Sequence, residues 1–268
     1  MKVSIFLAHL SELASQKGCT FGAAVREAKR SGIDYVEVDY KYAAGRADEL
    51  KAMLDSAGLQ VGGLNTWFDF THLSQPELIE SAVETAKKLN AAHIMAVPGF
   101  VNPGEKWEVL REKLAAGLNE LMTAAARQGV SVAMEDFDGV EAPYGRMDEL
   151  NWVLHQVPGL GCCFDTGNFL FFGEDVLKAY DLLEKRIVHV HMKDIAFAPL
   201  RGEKGKEALT GKKLYPAPVG SGELPMAEIV RRLYERGYSG IFAIEHFSAG
   251  DQLLFMRRSA RWLNNIFR

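Results

Sequence analysis

The sequence predicts an α/β protein of the (β/α)8 TIM-barrel class, and three observations carry that reading. Short apolar runs, of the kind buried on both faces of a parallel sheet, alternate with helix-like segments along the chain at about thirty residues per unit. Eight such units fit in 268 residues, close to the roughly 250 that an eightfold barrel takes. Four late runs, Val132-Ala133-Met134-Glu135, Cys162-Cys163-Phe164-Asp165, Val188-His189-Val190-His191 and Phe242-Ala243-Ile244-Glu245, each stop on a residue able to bind a metal. A polar residue ending a parallel strand stands at the carboxyl rim, where barrel chemistry sits. A single domain over residues 1–268 is expected.

Residues 3–8 read as the first strand. The helix at 18–31 carries Phe21, Ala24, Val25 and Ala28 at helical spacing. Residues 35–38 form the second strand, and the helix at 48–57 ends before Gly58, which suits a left-handed C-cap. Strand three is placed at 59–64 and strand four at 93–97, with helices at 76–89 and 107–127, the latter closing near Gly129. The four runs with polar ends supply strands five to eight, separated by helices at 147–156, 176–185 and 226–236, and a last helix at 253–267 seals the ring. The connection from Asp194 to Gly220 is unusually long and holds Arg201, Lys204, Lys206, Lys212 and Lys213. Long loops are functional or disordered. This one leaves from the catalytic face, so it reads either as a lid for an anionic substrate or as a solvated mobile loop.

Composition narrows the function. With 48% hydrophobic and 25% charged residues the chain can bury a large core, and a formal net charge of −4 argues against a broad nucleic-acid footprint. Three cysteines, two of them the neighbours Cys162 and Cys163, do not make a disulfide framework. No apolar run approaches the twenty residues of a membrane span, and the first ten residues lack a full signal core. The expectation is a cytoplasmic enzyme with a small-molecule substrate, no nucleic acid or membrane partner, and homo-oligomerisation left open.

Glu135, Asp165, His191 and Glu245 converging on the rim would make a cage of three carboxylates and one imidazole, suited to a hard or borderline divalent cation. Such an ion stabilises the enediolate formed when a proton leaves the carbon beside a sugar carbonyl, and a carboxylate then suffices as base. Two glutamates on opposite sides of a substrate give epimerisation, whereas one glutamate working on a single face gives aldose–ketose isomerisation. Taken singly, each of these carboxylates could equally be a solvated strand end. His189, one layer deeper, reads as a hydrogen-bonded interior histidine, and the cysteines as packing residues.

At Glu135-Asp136-Phe137, Asp165-Thr166-Gly167-Asn168, His191-Met192-Lys193-Asp194, Gly220-Ser221-Gly222-Glu223-Leu224-Pro225 and Ile244-Glu245-His246 the chain resembles the xylose isomerase-like superfamily of sugar isomerases and epimerases. The resemblance spans essentially the whole chain. It implies one divalent metal per chain, Mn2+ first with Mg2+, Co2+ or Zn2+ as alternatives, held by Glu135, Asp165, His191 and Glu245, with Glu135 and Glu245 as the acid/base pair. It implies as substrate a small ketose or keto-polyol, free or phosphorylated. A metal-dependent dehydratase of the inosose or dehydroshikimate type is the alternative, and an endonuclease IV-like phosphoesterase the third reading. Ketose 3-epimerases of this family place a histidine and an arginine where this chain has Asn168 and Phe197, so the usual substrate clamp is altered. The loss of a ligand at Asn168 also disfavours a three-metal site. Asn168, Lys193, Asn65 and Trp67 are the candidate substrate contacts. Lys193 reads alternatively as an ion pair with Asp194 or Glu223, and Gly220-Ser221-Gly222 as a phosphate cradle or, preferably, a tight turn.

Overall fold

The computed structural model describes residues 1–267. Eight parallel strands close a barrel: β1 (Lys2–Phe6), β2 (Tyr35–Asp39), β3 (Gln60–Trp67), β4 (His93–Val97), β5 (Ser131–Met134), β6 (Gly161–Asp165), β7 (Ile187–Met192) and, after three short strands, β11 (Ile241–Ile244), which pairs back onto β1. Helices surround the ring and bury apolar stripes against it. Among them are α1 (Leu7–Lys17), α2 (Phe21–Arg30), α3 (Tyr40–Ala43), α4 (Ala47–Ser56), α5 (Pro76–Leu89), α6 (Trp107–Arg127), α7 (Met147–Gln156), α8 (Val176–Leu183), α9 (Met226–Glu235) and α10 (Gln252–Asn265). The class expected from the sequence is the class observed.

Two local readings change. The first strand ends at Phe6, and Ala8 already lies in α1, a helix the sequence reading did not separate. Leu7, Leu10, Leu13 and Ala14 form its buried stripe, and Gly18, at φ 62°, is its left-handed C-cap rather than the start of the next helix. That next helix, α2, starts at Phe21 behind Thr20, whose hydroxyl accepts the Ala23 N–H. Strand β3 runs on to Trp67, because pairing with β4 continues to Trp67 opposite Val97. Asn65 and Trp67 therefore sit within the strand, two residues apart and on one face.

The long connection is ordered. It contains β8 (Asp194–Ala196), β9 (Lys206–Glu207) and β10 (Lys213–Ala217), joined as an antiparallel sheet in the order β8-β10-β9. Its anchor is Asp194, fully buried, whose Oδ2 accepts the N–H groups of Gly220 (2.8 Å), Ser221 (3.1 Å) and Gly222 (2.9 Å) while Oδ1 accepts that of Ile195 (2.9 Å). The glycine-rich run is an anion cradle filled by this carboxylate. Glycine is required at 220, where φ is 78°, and at 222, where a Cβ would strike the Asp194 carboxylate.

Removing that carboxylate strands several backbone donors in a buried corner. Asp194→Ala is expected to lower stability by about 2–4 kcal/mol in urea unfolding, with Asp194→Asn recovering part of the loss. A loss within about 0.5 kcal/mol would show that the cradle does not hold the excursion.

Candidate metal centre

The four predicted ligands come together. Asp165 ends β6 and stands in register with His191 of β7, which is also in register with Ala243 of β11, while Glu135 and Glu245 lie one residue beyond β5 and β11. One ligand atom from each of Glu135, Asp165, His191 and Glu245 lies within 4.8 Å of the others, and all four side chains are buried. His191 Nδ1 donates to Glu135 Oε2 at 2.7 Å and stands 3.2 Å from Glu245 Oε2. Asp165 Oδ1 accepts the N–H groups of Gly167 and Asn168, both at 2.7 Å, which fixes the carboxylate and leaves Oδ2 buried without a partner. The ring of Phe6 packs edge-on against His191, 5.0 Å between centroids.

Charge balance shows that the donor set fits a divalent ion. Three carboxylates so close repel one another, and the nearest fixed cation is Lys193, whose Nζ lies 3.1 Å from Glu245 Oε1. Lys193 and one divalent ion would together bring the three carboxylates to zero with His191 neutral. Without the ion, protons fill the deficit. Burial, then repulsion from Glu245, drives the Asp165 carboxyl well above the carboxylate range, and burial also raises Glu135. Burial alone would lower His191, but Cys163 and Glu135 outweigh it and hold the imidazole well above its ordinary value. Glu245 goes the other way: burial opposes ionisation, yet Lys193 and His191 hold it at about 2.

The site floors a pocket of about 390 Å³ that includes Glu135 and Glu245. Asn65 lines it, and both of its side-chain amide atoms are buried without a hydrogen-bond partner among the described residues. Trp67, half exposed, walls the pocket with Phe137, their rings 5.9 Å apart, and also leans on Phe100. Asn168 reaches the pocket too, but its amide is committed: Nδ2 donates to the Asp136 carbonyl (3.0 Å) and Oδ1 accepts from Lys193 Nζ (2.6 Å). Lys193 is turned to Glu245, Asn168 and Asp138 (3.3 Å), not to Asp194 or Glu223. Of the basic loop, Lys204 and Lys206 line the pocket, whereas Lys212 lies over the Phe197 ring, 4.3 Å from its centroid.

Asp138 is the residue that sequence reasoning missed. It joins Lys193 to Lys206, the latter at 3.1 Å, and so ties the loop to the rim. Its position three residues past a candidate rim ligand was the available signal.

The chain matches the family described as xylose isomerase-like TIM barrel over residues 25–266, and it belongs to that family. It is 27% identical over 248 residues to inosose dehydratase of Bacillus anthracis, covering 84% of this chain and 82% of that one. It is 24% identical over 251 residues to fructoselysine 3-epimerase of Shigella flexneri, covering 83% of each. Among solved structures, IOLI protein with a bound zinc atom superposes with a TM-score of 0.76 at 18% identity, over 99% of this chain and 98% of that one. Dehydratases and epimerases of sugar-like molecules thus stand at similar distance. No helix among the described residues is long and apolar enough to cross a membrane.

Two outcomes are expected in solution. His191→Ala should weaken binding of a divalent ion by about a hundredfold or more with an unchanged circular dichroism spectrum; unaltered affinity would remove His191 from the ligand set. The pH dependence follows from the proton placement. His191, raised in the fold, stabilises the metal-free protein below its unfolded value, and that gain is lost as pH climbs through the folded value. Asp165, also raised, is increasingly costly to keep folded as pH exceeds its unfolded value. The metal-free protein should therefore melt at progressively lower temperature as pH rises above the unfolded values of these groups, while bound metal, by displacing these protons, flattens the trend and binds more tightly as pH rises. Parallel melting curves with and without metal across that rise would contradict this.

Proposed function

We propose that this chain is a divalent-metal-dependent isomerase or epimerase of a small ketose or keto-polyol, using Glu135 and Glu245 to move a proton at the carbon beside the carbonyl. The observation that carries the reading is the unequal pair: two buried glutamates that both approach His191 Nδ1, of which Lys193 touches only Glu245. In the metal-free site Lys193 and His191 keep Glu245 ionised while burial raises Glu135, so of the two Glu135 is the one that would take up a proton first in the loaded site. Neighbouring carboxylates pushed apart in this way supply a base and an acid at once. The ion, with manganese favoured for an oxygen-rich site, would be held by Glu135, Asp165, His191 and Glu245 and would supply Lewis-acid stabilisation of the developing enediolate oxygen.

In this reading Glu245 takes the proton from one face of the α-carbon as its C–H electron pair moves toward the carbonyl oxygen. Glu135 delivers a proton to the other face, which inverts the centre. Asn65 orients a hydroxyl, Trp67 and Phe137 cover the apolar side of the sugar, and Asn168 positions Lys193. Free thiols at Cys19, Cys162 and Cys163 accord with a reducing compartment such as the cytoplasm.

The likeness to inosose dehydratase over most of the chain favours a second reading, in which the same enediolate expels a β-hydroxyl. The two readings separate in deuterated water. An epimerase places deuterium in recovered substrate and its epimer, while a dehydratase yields an unsaturated or further enolised ketone and water.

For the epimerase, Glu245→Gln should abolish exchange by about a thousandfold or more, whereas Glu135→Gln should keep exchange from one face and lose inversion. Near-normal turnover of both variants at saturating metal would rule out the pair. The pocket cations give a further expectation: Lys204→Gln with Lys206→Gln should raise KM for a phosphorylated or carboxylated substrate by about tenfold and leave a neutral one unchanged, while Lys212→Gln with Lys213→Gln changes neither. Equal effects on charged and neutral substrates would mark the lysines as structural.

A further inference from the structure

Beneath the rim lies a second convergence of metal-competent side chains that the proposed reaction does not use. Glu37 of β2, His93 of β4 and His189 of β7 project into the barrel interior, none more than 5% exposed, and none lines the pocket. Ligand atoms of the three lie within 4.8 Å of one another. Each residue also carries a buried atom without a hydrogen-bond partner among the described residues: Glu37 Oε2, His93 Nε2 and His189 Nε2. Buried polar atoms are rarely left so, and three together ask for a common partner.

The spacing suits a cation. His189 Nε2 stands 3.6 Å from Glu37 Oε2, beyond ordinary hydrogen-bond reach and near the roughly 3.4 Å edge of a tetrahedron with bonds of about 2.1 Å. The carboxylate is already oriented, since its other oxygen accepts from Ser4 Oγ at 2.5 Å. The room is made by Gly62 and Gly63 in β3, where the register against β2 slips between Val36 and Glu37. A Cβ on Gly62 would stand 2.5 Å from Glu37 Oε1, and one on Gly63 would stand 2.5 Å from Glu37 Oε2 and 3.0 Å from His93 Nε2. Protonation agrees: burial opposes ionisation of Glu37, but His189 and then His93 hold it at about 2, while burial lowers His93 to about 3. An ionised carboxylate and a neutral imidazole are the forms that bind metal.

Cys163, His189 and His191 form an alternative group that shares His189. It is the poorer site, because His191 Nδ1 is engaged by Glu135 and burial keeps the Cys163 thiol protonated.

We propose that Glu37, His93 and His189 bind a second divalent ion, zinc by its preference for a two-nitrogen, one-oxygen set, as a structural cation enclosed in the barrel and loaded as the chain folds. The proposal is independent of the reaction assigned to the rim. Its test is the metal content of the full chain refolded with zinc and freed of loose metal. The wild type should hold two equivalents, His93→Gln one, and the rim variant Glu135→Gln/Asp165→Asn one. The equivalent kept by the rim variant should exchange with a chelator far more slowly than the one kept by His93→Gln, which faces the pocket. A rim variant with no zinc, or a wild type with one equivalent that His93→Gln leaves unchanged, would overturn the proposal and leave the three groups as a water-bridged ion pair. Anomalous scattering at the zinc edge from wild-type crystals tests the site without a variant: a peak among the three side chains supports it, and the absence of one overturns it.

Discussion

Oxygens of three carboxylates are held within 4.8 Å of one another and of a His191 nitrogen at the mouth of a closed barrel, and their mutual repulsion governs the site. At about 4 Å, two like charges repel by several kcal/mol even when the surroundings are moderately polar. The fold keeps them together because each leaves a different rigid strand, so none can swing away without breaking barrel hydrogen bonds. Lys193 cancels part of the charge, and its one-sided contact with Glu245 makes two chemically identical glutamates unequal. A divalent ion would complete the neutralisation, and its charge is what the proposed enolising reaction would use.

The surroundings serve that balance. Lys193 is held by Asn168 and Asp138, and Asp138 also holds Lys206, so the excursion after β7 is tied to the rim electrostatically. From the other side the excursion is pinned by Asp194 in the glycine-rich cradle. One loop thereby supplies a cationic pocket wall while its backbone stays fixed. Trp67 and Phe137 add an apolar part to the pocket lining.

The barrel and the convergence of its four candidate rim ligands were legible because a parallel strand buried on both faces is written as a continuous apolar run, and a charge at its end is conspicuous. Glu135, Asp165, His191 and Glu245 all stand out in this way. Helix α1 was hidden because its stripe of Leu7, Leu10, Leu13 and Ala14 continues the apolar run of β1 with no turn residue between. The extension of β3 was hidden because Asn65 and Thr66 look like a loop, and only pairing with β4 makes them strand. The strands after β7 are only two to five residues long, and β8 finds its partner β10 on the far side of the excursion. Asp138 could be named as a rim residue but not as a partner, since Lys193 is 55 positions away. Likewise Glu37, His93 and His189 are inconspicuous in isolation, and closure of the barrel alone makes them neighbours.

In a loaded site an ion would replace the protons that hold the metal-free site together. The most direct measurement is a crystal structure of the manganese-loaded protein with anomalous data at the manganese edge. A rim peak is expected about 2.0–2.3 Å from oxygens of Glu135, Asp165 and Glu245 and from a nitrogen of His191, with the His191–Glu135 hydrogen bond broken and Lys193 still on Glu245. No rim peak among these four side chains, or a loaded site in which His191 still donates to Glu135, would contradict it.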